Sequence, residues 1–180
     1  PETVKGFYNS SFRGCLGLTQ VYIPASVSSV GGQAFNSSYN LMSHKVDPNN
    51  PYLDSRDDCN AIVRTADNTI VTGCAATVIP ETVTGIGYNA FAGHQKIETM
   101  TFHKNMTSIG DRAFEACPNL LKVVAWMPAP FAITNNTFTV YYGQFNSDAT
   151  LYVPKGTKTA YQNTQGWSLF TKMLEMNEDD

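Results

Sequence analysis

The sequence predicts a β-rich solenoid: a parallel ladder of short strands built from 23-residue repeats, with an inserted β-hairpin and a small helical cap at its C-terminal end. Three observations predict it. Pro1 and Pro24, Phe12 and Phe35, and Phe91 and Phe114 are each 23 residues apart in similar surroundings, and a fixed period of roughly 20–50 residues is the signature of stacked repeats. Six residues after each Phe stands an aliphatic residue, Leu18, Leu41, Ile97 and Leu120. It opens a short alternating run such as Leu18-Thr19-Gln20-Val21-Tyr22-Ile23, the pattern of a strand with one buried side. The composition agrees, because 19 Thr, 12 Ser and 15 Asn against 27 charged residues suit short strands joined by turns better than a helical bundle.

Taken in order, residues 1–47 hold the first two units. Val27, Val30, Gly31, Ala34 and Phe35 define the second; the first is looser, keeping Val4, Phe7 and Phe12 but carrying Asn9 and Ser11 where glycine or alanine is otherwise found. Residues 80–126 hold units three and four. The clearest copy is Pro80-Glu81-Thr82-Val83-Thr84-Gly85-Ile86-Gly87-Tyr88-Asn89-Ala90-Phe91, followed one period later by Met106-Thr107-Ser108-Ile109-Gly110-Asp111-Arg112-Ala113-Phe114. One unit has too little apolar surface to fold alone. Stacking lines up Val21 and Ile23 with Met100 and Phe102 and with Val123 and Ala125 as buried parallel ladders, with the Phe residues as a spine behind them. Gly31, Gly87 and Gly110 recur at one place, as expected where the backbone turns tightly or takes a positive φ.

These residues resemble the BspA-like family of leucine-rich repeats, whose units read roughly IP-x-x-V-x-x-IG-x-x-AF-x-x-C-x-x-L. Ile79-Pro80 to Ile97 carries every element except the Cys, which His94 replaces; Cys15 and Cys117 fill that place in two other units and Ser38 in the second. The matching units cover about half the chain. The resemblance implies a leucine-rich-repeat solenoid with a curved parallel sheet, of a kind carried by exported bacterial surface proteins with roles in adhesion and protein binding. An extracellular or cell-surface location is therefore expected.

Residues 48–79 interrupt the repeat, since Phe35 to Phe91 is 56 residues, one period plus 33. Cys59-Asn60-Ala61-Ile62-Val63-Arg64 and Thr69-Ile70-Val71-Thr72 flank the turn signal Asp67-Asn68, which predicts a β-hairpin. The run from Asn50-Pro51-Tyr52 to Ala61-Ile62 also resembles a cassette common in the family. After Trp126 the period dissolves through Pro128, Pro130 and Asn135-Asn136. Within residues 127–180, Thr150-Leu151-Tyr152-Val153-Pro154 mimics Gln20-Val21-Tyr22-Ile23-Pro24 and reads as one last strand. A helical tail follows, Thr157 capping a short helix with Tyr161, and Trp167, Phe170 and Leu174 recurring at helical spacing. The whole reads as one continuous solenoid domain closed at this end. The N-terminal end has no such cover, as Val4 and Phe7 follow Pro1 almost at once, so upstream repeats or a partner are expected over it.

No motif carries chemistry. The formal charge of −3 with no basic run excludes the electrostatic footprint of a nucleic-acid binder, and no apolar run reaches the roughly 18 residues that would cross a membrane. His44, His94 and His103 fall on three different repeat positions, so no pair is expected to share a metal or a proton. Cys15 and Cys117 read as small buried ladder residues without an activating base. Cys59 and Cys74 are free thiols or, in an oxidising compartment, an intra-hairpin disulfide. Asp54, Asp57, Asp58 and Asn60 are turn residues or a loose calcium site without the EF-hand glycine. No nucleotide motif occurs, and the sequons at Asn9, Asn36, Asn105 and Asn135 matter only in a eukaryotic host. The expectation is therefore no cofactor and no catalysis.

A binding role has a structural basis all the same. Outward residues of successive strands form one surface, here Gln20 and Tyr22, Ser43 and Lys45, Thr99 and Thr101, Lys122 and Val124, then Tyr152, with Trp126 at its edge. Tyr and Trp are frequent binding anchors, although they also simply favour strands. The expected partner is a protein or glycan ligand met through this face. A structural spacer displaying another module is the alternative, and an enzyme with an unrecognised site a third.

Overall fold

A computed structural model describes residues 3–140 and 143–176 of the chain. Pro1, where the first repeat was expected to start, and the last four residues of the expected cap lie outside the described residues. In chain order the strands are β1 (Gly6–Phe7), β2 (Gln20–Ile23), β3 (Ser29–Val30), β4 (Ser43–Val46), β5 (Leu53–Asp54), β6 (Ile62–Arg64), β7 (Thr69–Thr72), β8 (Gly85–Ile86), β9 (Thr99–Phe102), β10 (Ser108–Ile109), β11 (Lys122–Ala125), β12 (Thr150–Pro154) and β13 (Lys172–Met176). One short helix, α1 (Lys158–Gln162), and 3-10 turns at Arg56–Asp58 and Trp167–Leu169 lie among the described residues as well.

The stack is a β-solenoid of about seven turns. Equivalent strands of neighbouring coils pair in parallel one repeat apart: Gln20 with Ser43, Thr99 with Lys122, Gly85 with Ser108. The alternation expected from sequence holds, with Met100 and Phe102, Val123 and Ala125, and Leu151 and Val153 turned inward and buried. Side chains also tie each coil to the one before it. Ser38 Oγ donates to the Phe12 carbonyl at 2.8 Å and Cys117 Sγ to that of Phe91 at 3.1 Å, so the variable Cys position is a donor slot. Asn40 and Asn119 amides donate to Leu16 and Gln95 carbonyls at 2.7 Å. Each such bond is worth about 1 kcal/mol net.

Gly110 owes its place to close approach: a Cβ there would sit 2.6 Å from the Gly87 carbonyl carbon of the preceding coil, and its φ is not positive. This corrects the positive-φ reading of Gly31, Gly87 and Gly110, none of which is left-handed; the tight-turn reading holds, since each carbonyl accepts from the backbone N–H three residues on.

The aromatic spine exists in two lengths. Phe12 and Phe35 stack with ring centroids 5.3 Å apart; Phe91, Phe114 and Phe138 stack at 5.0 and 5.2 Å. Phe138 shows that the stack runs on after Trp126, where the period was expected to dissolve; the extra residues of that coil lengthen its loop without displacing the ring. Between Phe35 and Phe91 the inserted segment adds a partial coil. Gly73 N donates to the Ala90 carbonyl at 2.9 Å, the bond that Phe12 N makes to Ala34 in the first coil, so Gly73 stands where a Phe would. The Phe91 ring lies against it, 2.1 Å from where a Cβ would be.

The insertion is a three-stranded antiparallel unit, β5, β6 and β7, in which β7 also pairs in parallel with β8. Both faces of the expected hairpin are buried. Ile62 and Val71, with Leu53 and Cys74, pack into a cluster with Ile23, Val30 and Phe35. Ala61, Val63 and Ile70 pack into the other, with Ile86, Phe91 and Phe114. The unbroken run Ala-Ile-Val thus serves a plate between two cores.

At the C-terminal end Tyr161, Trp167 and Phe170 close the second core. Tyr161 Oη donates to the Met127 carbonyl and Trp167 Nε1 to that of Phe131, both at 2.8 Å. Two details of the expected tail are corrected. Thr157 Oγ1 does not cap α1 but donates to the Pro154 carbonyl at 2.7 Å. The spacing of Trp167, Phe170 and Leu174 is not helical: the chain turns once and returns as β13, parallel to β12, because the open edge of β12 offers a full row of backbone partners. At the other end Val4, Phe7, Phe12, Leu18 and Val21 are only half-buried, whereas Val27, Val30, Phe35 and Leu41 one coil later are buried.

Gly73→Ala is expected to destabilise the fold by about 2 kcal/mol through overpacking against Phe91, while Gly17→Ala, with nothing near its added methyl, stays within about 0.5 kcal/mol. Urea unfolding of the two variants checks this, and equal midpoints would refute the role given to Gly73.

Candidate binding face

The strands β9, β11, β12 and β13 form one parallel sheet with a solvent side. Its register sorts the outward residues into three files running across the strands. Thr99, Lys122, Thr150 and Lys172 are neighbours in the first; Thr101, Val124, Tyr152 and Leu174 in the second; Trp126, Pro154 and Met176 occupy the third. The first file is hydroxyl and ammonium, the second and third apolar and aromatic. A shallow groove of about 360 Å³ crosses them, lined by Thr99, Thr101, Lys122, Val124, Trp126, Tyr152 and Met176. A second recess of about 340 Å³ continues past Thr99, Thr101 and Trp126 to Val78, Glu81 and His103.

Six of the ten residues expected on the face thus meet at one groove. Val124 is not an exposed member: between Thr101 and Tyr152 it keeps only 7% of its surface. Lys122 Nζ sits over the Tyr152 ring, 5.0 Å from its centroid, a cation–π contact. Thr150, Lys172, Leu174 and Met176 were missed from sequence. The residues of β13 show no two-residue alternation, running exposed, buried, exposed, exposed, buried, and the coincidental helical spacing of the preceding aromatics masked the strand.

The other four expected residues lie elsewhere. Gln20, Tyr22, Ser43 and Lys45 belong to the separate two-stranded ladder of β2 and β4, over a recess of about 440 Å³. The single continuous ladder expected from the repeat is therefore interrupted, because the inserted segment stands between β4 and β9. Two of the four polar side chains of this half are already engaged. Tyr22 Oη donates to Asp47 at 2.8 Å, a bond that raises the phenol's pKa above its ordinary value, and Lys45 pairs with Asp58. By contrast, among the described residues the Thr99, Thr101 and Tyr152 hydroxyls, the Trp126 indole N–H and the Lys122 ammonium make no hydrogen bond or ion pair with the chain.

The remaining chemical candidates have structural partners. Asp54 takes Arg56 in a two-point contact at 2.8 and 2.6 Å, and Arg56 also donates to Asn68; with Asp58 on Lys45, these carboxylates hold the cassette turn. Cys59 and Cys74 are buried free thiols, as is Cys117, whose burial pushes its pKa up to about 12, away from nucleophilic character. Cys15, expected to be buried, is exposed. Its slot points toward the open end, where no described coil covers it.

Known proteins bear on the same stack. The profile of a family described as BspA type leucine rich repeat region matches residues 1–56 and 72–151 in six copies, two more than the four units legible by eye. The gap between the matched stretches holds the turn Arg56–Asp58, β6 and most of β7. Among solved structures, a leucine rich cell surface protein from Faecalibacterium prausnitzii is 17% identical with a TM-score of 0.61, over 99% of this chain and 53% of that one. A leucine-rich repeat protein from Eubacterium ventriosum is 19% identical with a TM-score of 0.48, over 76% of this chain and 42% of that one. The chain spans about half the length of these structures. No curated protein matches it.

Two histidines sit inside the stack. His94 occupies the donor slot of Ser38 and Cys117, but its Nδ1 is buried without a partner; His44 shares the Asn60 carbonyl through Nδ1 at 3.2 Å and leaves Nε2 unpaired. Burial lowers both from 6.5 to about 4, and the two rings are near enough that the charge of His94 further lowers His44. Both are neutral in the fold, so the unfolded chain binds more protons between pH 6.5 and 4. Their contribution is fully present above pH 6.5 and lost as pH falls toward 4, up to roughly 3 kcal/mol per ring. Asp47, Asp58 and Asp67, held below 3.8 by their hydrogen bonds, add nothing in this window. Thermal unfolding followed from pH 7.5 to 4.5 should show a steady loss of stability that His94→Cys, the residue of the sister coils, makes shallower; parallel curves for the two proteins would refute this.

Proposed function

The chain belongs to the BspA-type leucine-rich-repeat family, and from that membership we infer that it is a protein-interaction repeat module whose contact surface is the outer side of β9, β11, β12 and β13. One observation carries the reading. Among the described residues, this sheet presents a row of hydrogen-bond donors that have no hydrogen-bond partner, beside the rings of Trp126 and Tyr152. Thr101, Lys122, Trp126 and Tyr152 are its centre. A preformed face of this kind binds without ordering costs, and Trp and Tyr dominate such contacts.

The module is non-enzymatic in this reading. Asp54 and Asp58 are engaged by Arg56 and Lys45, the buried thiols are held protonated, and no group of three His, Cys, Asp or Glu able to hold a metal occurs among the described residues. It works outside the cell or on its surface, as an adhesion or recognition element. The name of the Faecalibacterium structure, a cell surface protein, supports that location. No helix among the described residues is long and apolar enough to cross a membrane.

The test is a screen of the wild-type chain on arrayed surface proteins and glycans, repeated with Lys122→Ala/Trp126→Ala/Tyr152→Ala and with Tyr88→Ala, an exposed control beside β8. The triple variant should lose about 100-fold in affinity for whatever the chain binds, and the control nothing. Retention of binding within about threefold by the triple variant would favour a spacer that displays another module.

A further inference from the structure

The three files of the face differ in chemistry, and the difference has a direction. At the N-terminal ends of the strands stand two ammonium groups, Lys122 and Lys172, two strands apart, with Thr99 and Thr150 in the same file. At the C-terminal ends stand Trp126, Pro154 and Met176, with Tyr152 and the exposed Leu174 between. Lys122 has no acidic partner among the described residues. Lys172 has Asp148 at 3.8 Å, itself highly exposed, a contact that solvent makes weak. The basic file therefore faces solvent with its charge largely uncompensated, beside an apolar strip.

We propose that this face holds an extended polypeptide segment of alternating acidic and apolar residues, laid across the four strands so that its carboxylates meet Lys122 and Lys172 and its apolar side chains meet Tyr152, Leu174 and Trp126. The proposal rests on the binding reading above and names the partner's chemistry. Four strands span roughly 14 Å between outer strands, and an extended chain repeats its side-chain direction every ~7 Å, so about five residues cross the sheet. Two files on either side of one backbone match the alternation of a strand, carboxylates to one side and apolar groups to the other. The donors without partners in the chain, Trp126 Nε1 and the Thr and Tyr hydroxyls, suit backbone carbonyls and carboxylates, which accept. A neutral sugar fits less well, because it leaves the Lys122 and Lys172 ammonium groups without the counter-charge that carboxylates supply.

The experiment uses fluorescence anisotropy with three labelled heptapeptides alternating Tyr with Glu, Gln or Lys. The Glu–Tyr peptide should bind best, the Gln–Tyr peptide about tenfold more weakly and the Lys–Tyr peptide not measurably. Lys122→Glu and, separately, Trp126→Ala should each weaken the Glu–Tyr peptide about tenfold, with Lys122→Arg near wild type. Thermal midpoints of the variants, and Lys172→Glu as a second charge reversal at the edge, guard against a folding defect. Equal binding of the Glu and Lys peptides, or indifference to both charge reversals, overturns the proposal. So does binding of oligogalacturonate, but not the Glu–Tyr peptide, in a Lys122-dependent way. In that case the face still binds and only its partner class is wrong, whereas failure of the array screen removes the face altogether.

Discussion

Every feature of this molecule follows from one constraint: a coil of about two dozen residues has an apolar side it cannot bury by itself. Its strands have open edges and its Phe ring has one free face, so burial comes only from the coil before and the coil after. Stacked rings 5.0 to 5.3 Å apart, parallel strand pairs and side-chain donors to the preceding coil's carbonyls are three consequences of the same translation. The requirement also dictates where small residues stand. Gly110 exists because the neighbouring backbone passes where a Cβ would be.

The inserted unit shows how such a stack tolerates interruption. A solenoid cannot leave two half-cores facing water, so an insertion must either leave through the loops or become part of the stack. Here it does the second. Ile62 and Val71 complete one cluster, Val63 and Ile70 the other, and β7 pairs with β8 as though it were the preceding coil. The unit lacks a Phe of its own, and Gly73 lets the Phe91 ring press onto backbone instead. The loop sides of the flanking coils still meet directly, with Lys96 Nζ on Asn40 at 2.7 Å. The cost of this patch shows in the histidines, since the slot of His94 has lost the carbonyl that Ser38 and Cys117 find.

Much of this was legible from residue order alone because repeats encode their own contacts: 23-residue spacing of Phe and alternation before Pro24 specify which atoms meet. The turn at Asp67-Asn68 specified the hairpin for local reasons of the same kind. What escaped was non-local. Nothing in Val71-Thr72-Gly73 announces that Gly73 substitutes for Phe. The long loop of the coil holding Phe138 hid a ring 24 residues after Phe114 rather than 23. Trp167, Phe170 and Leu174 fell into helical spacing by coincidence, so β13 and with it Lys172, Leu174 and Met176 were absent from the expected face. Four of the ten residues expected on the face lie on a ladder that the insertion separates from the rest.

That separation bears on recognition. Both ladders present Tyr and Lys outward, yet the β2–β4 side satisfies them internally, Tyr22 on Asp47 and Lys45 on Asp58, and the second of these bonds reaches into the cassette. The same insertion that breaks the face therefore helps neutralise its first half and leaves the second half open. On that second half the supporting layer is an aromatic cluster in which Phe102 meets Phe114, Phe138 and Trp167, and Phe138 meets Phe114 and Trp167. In the proposed contact, strands standing on such a layer have little backbone freedom to surrender when a partner arrives, so affinity rests on a few donors and two rings without a deep pocket.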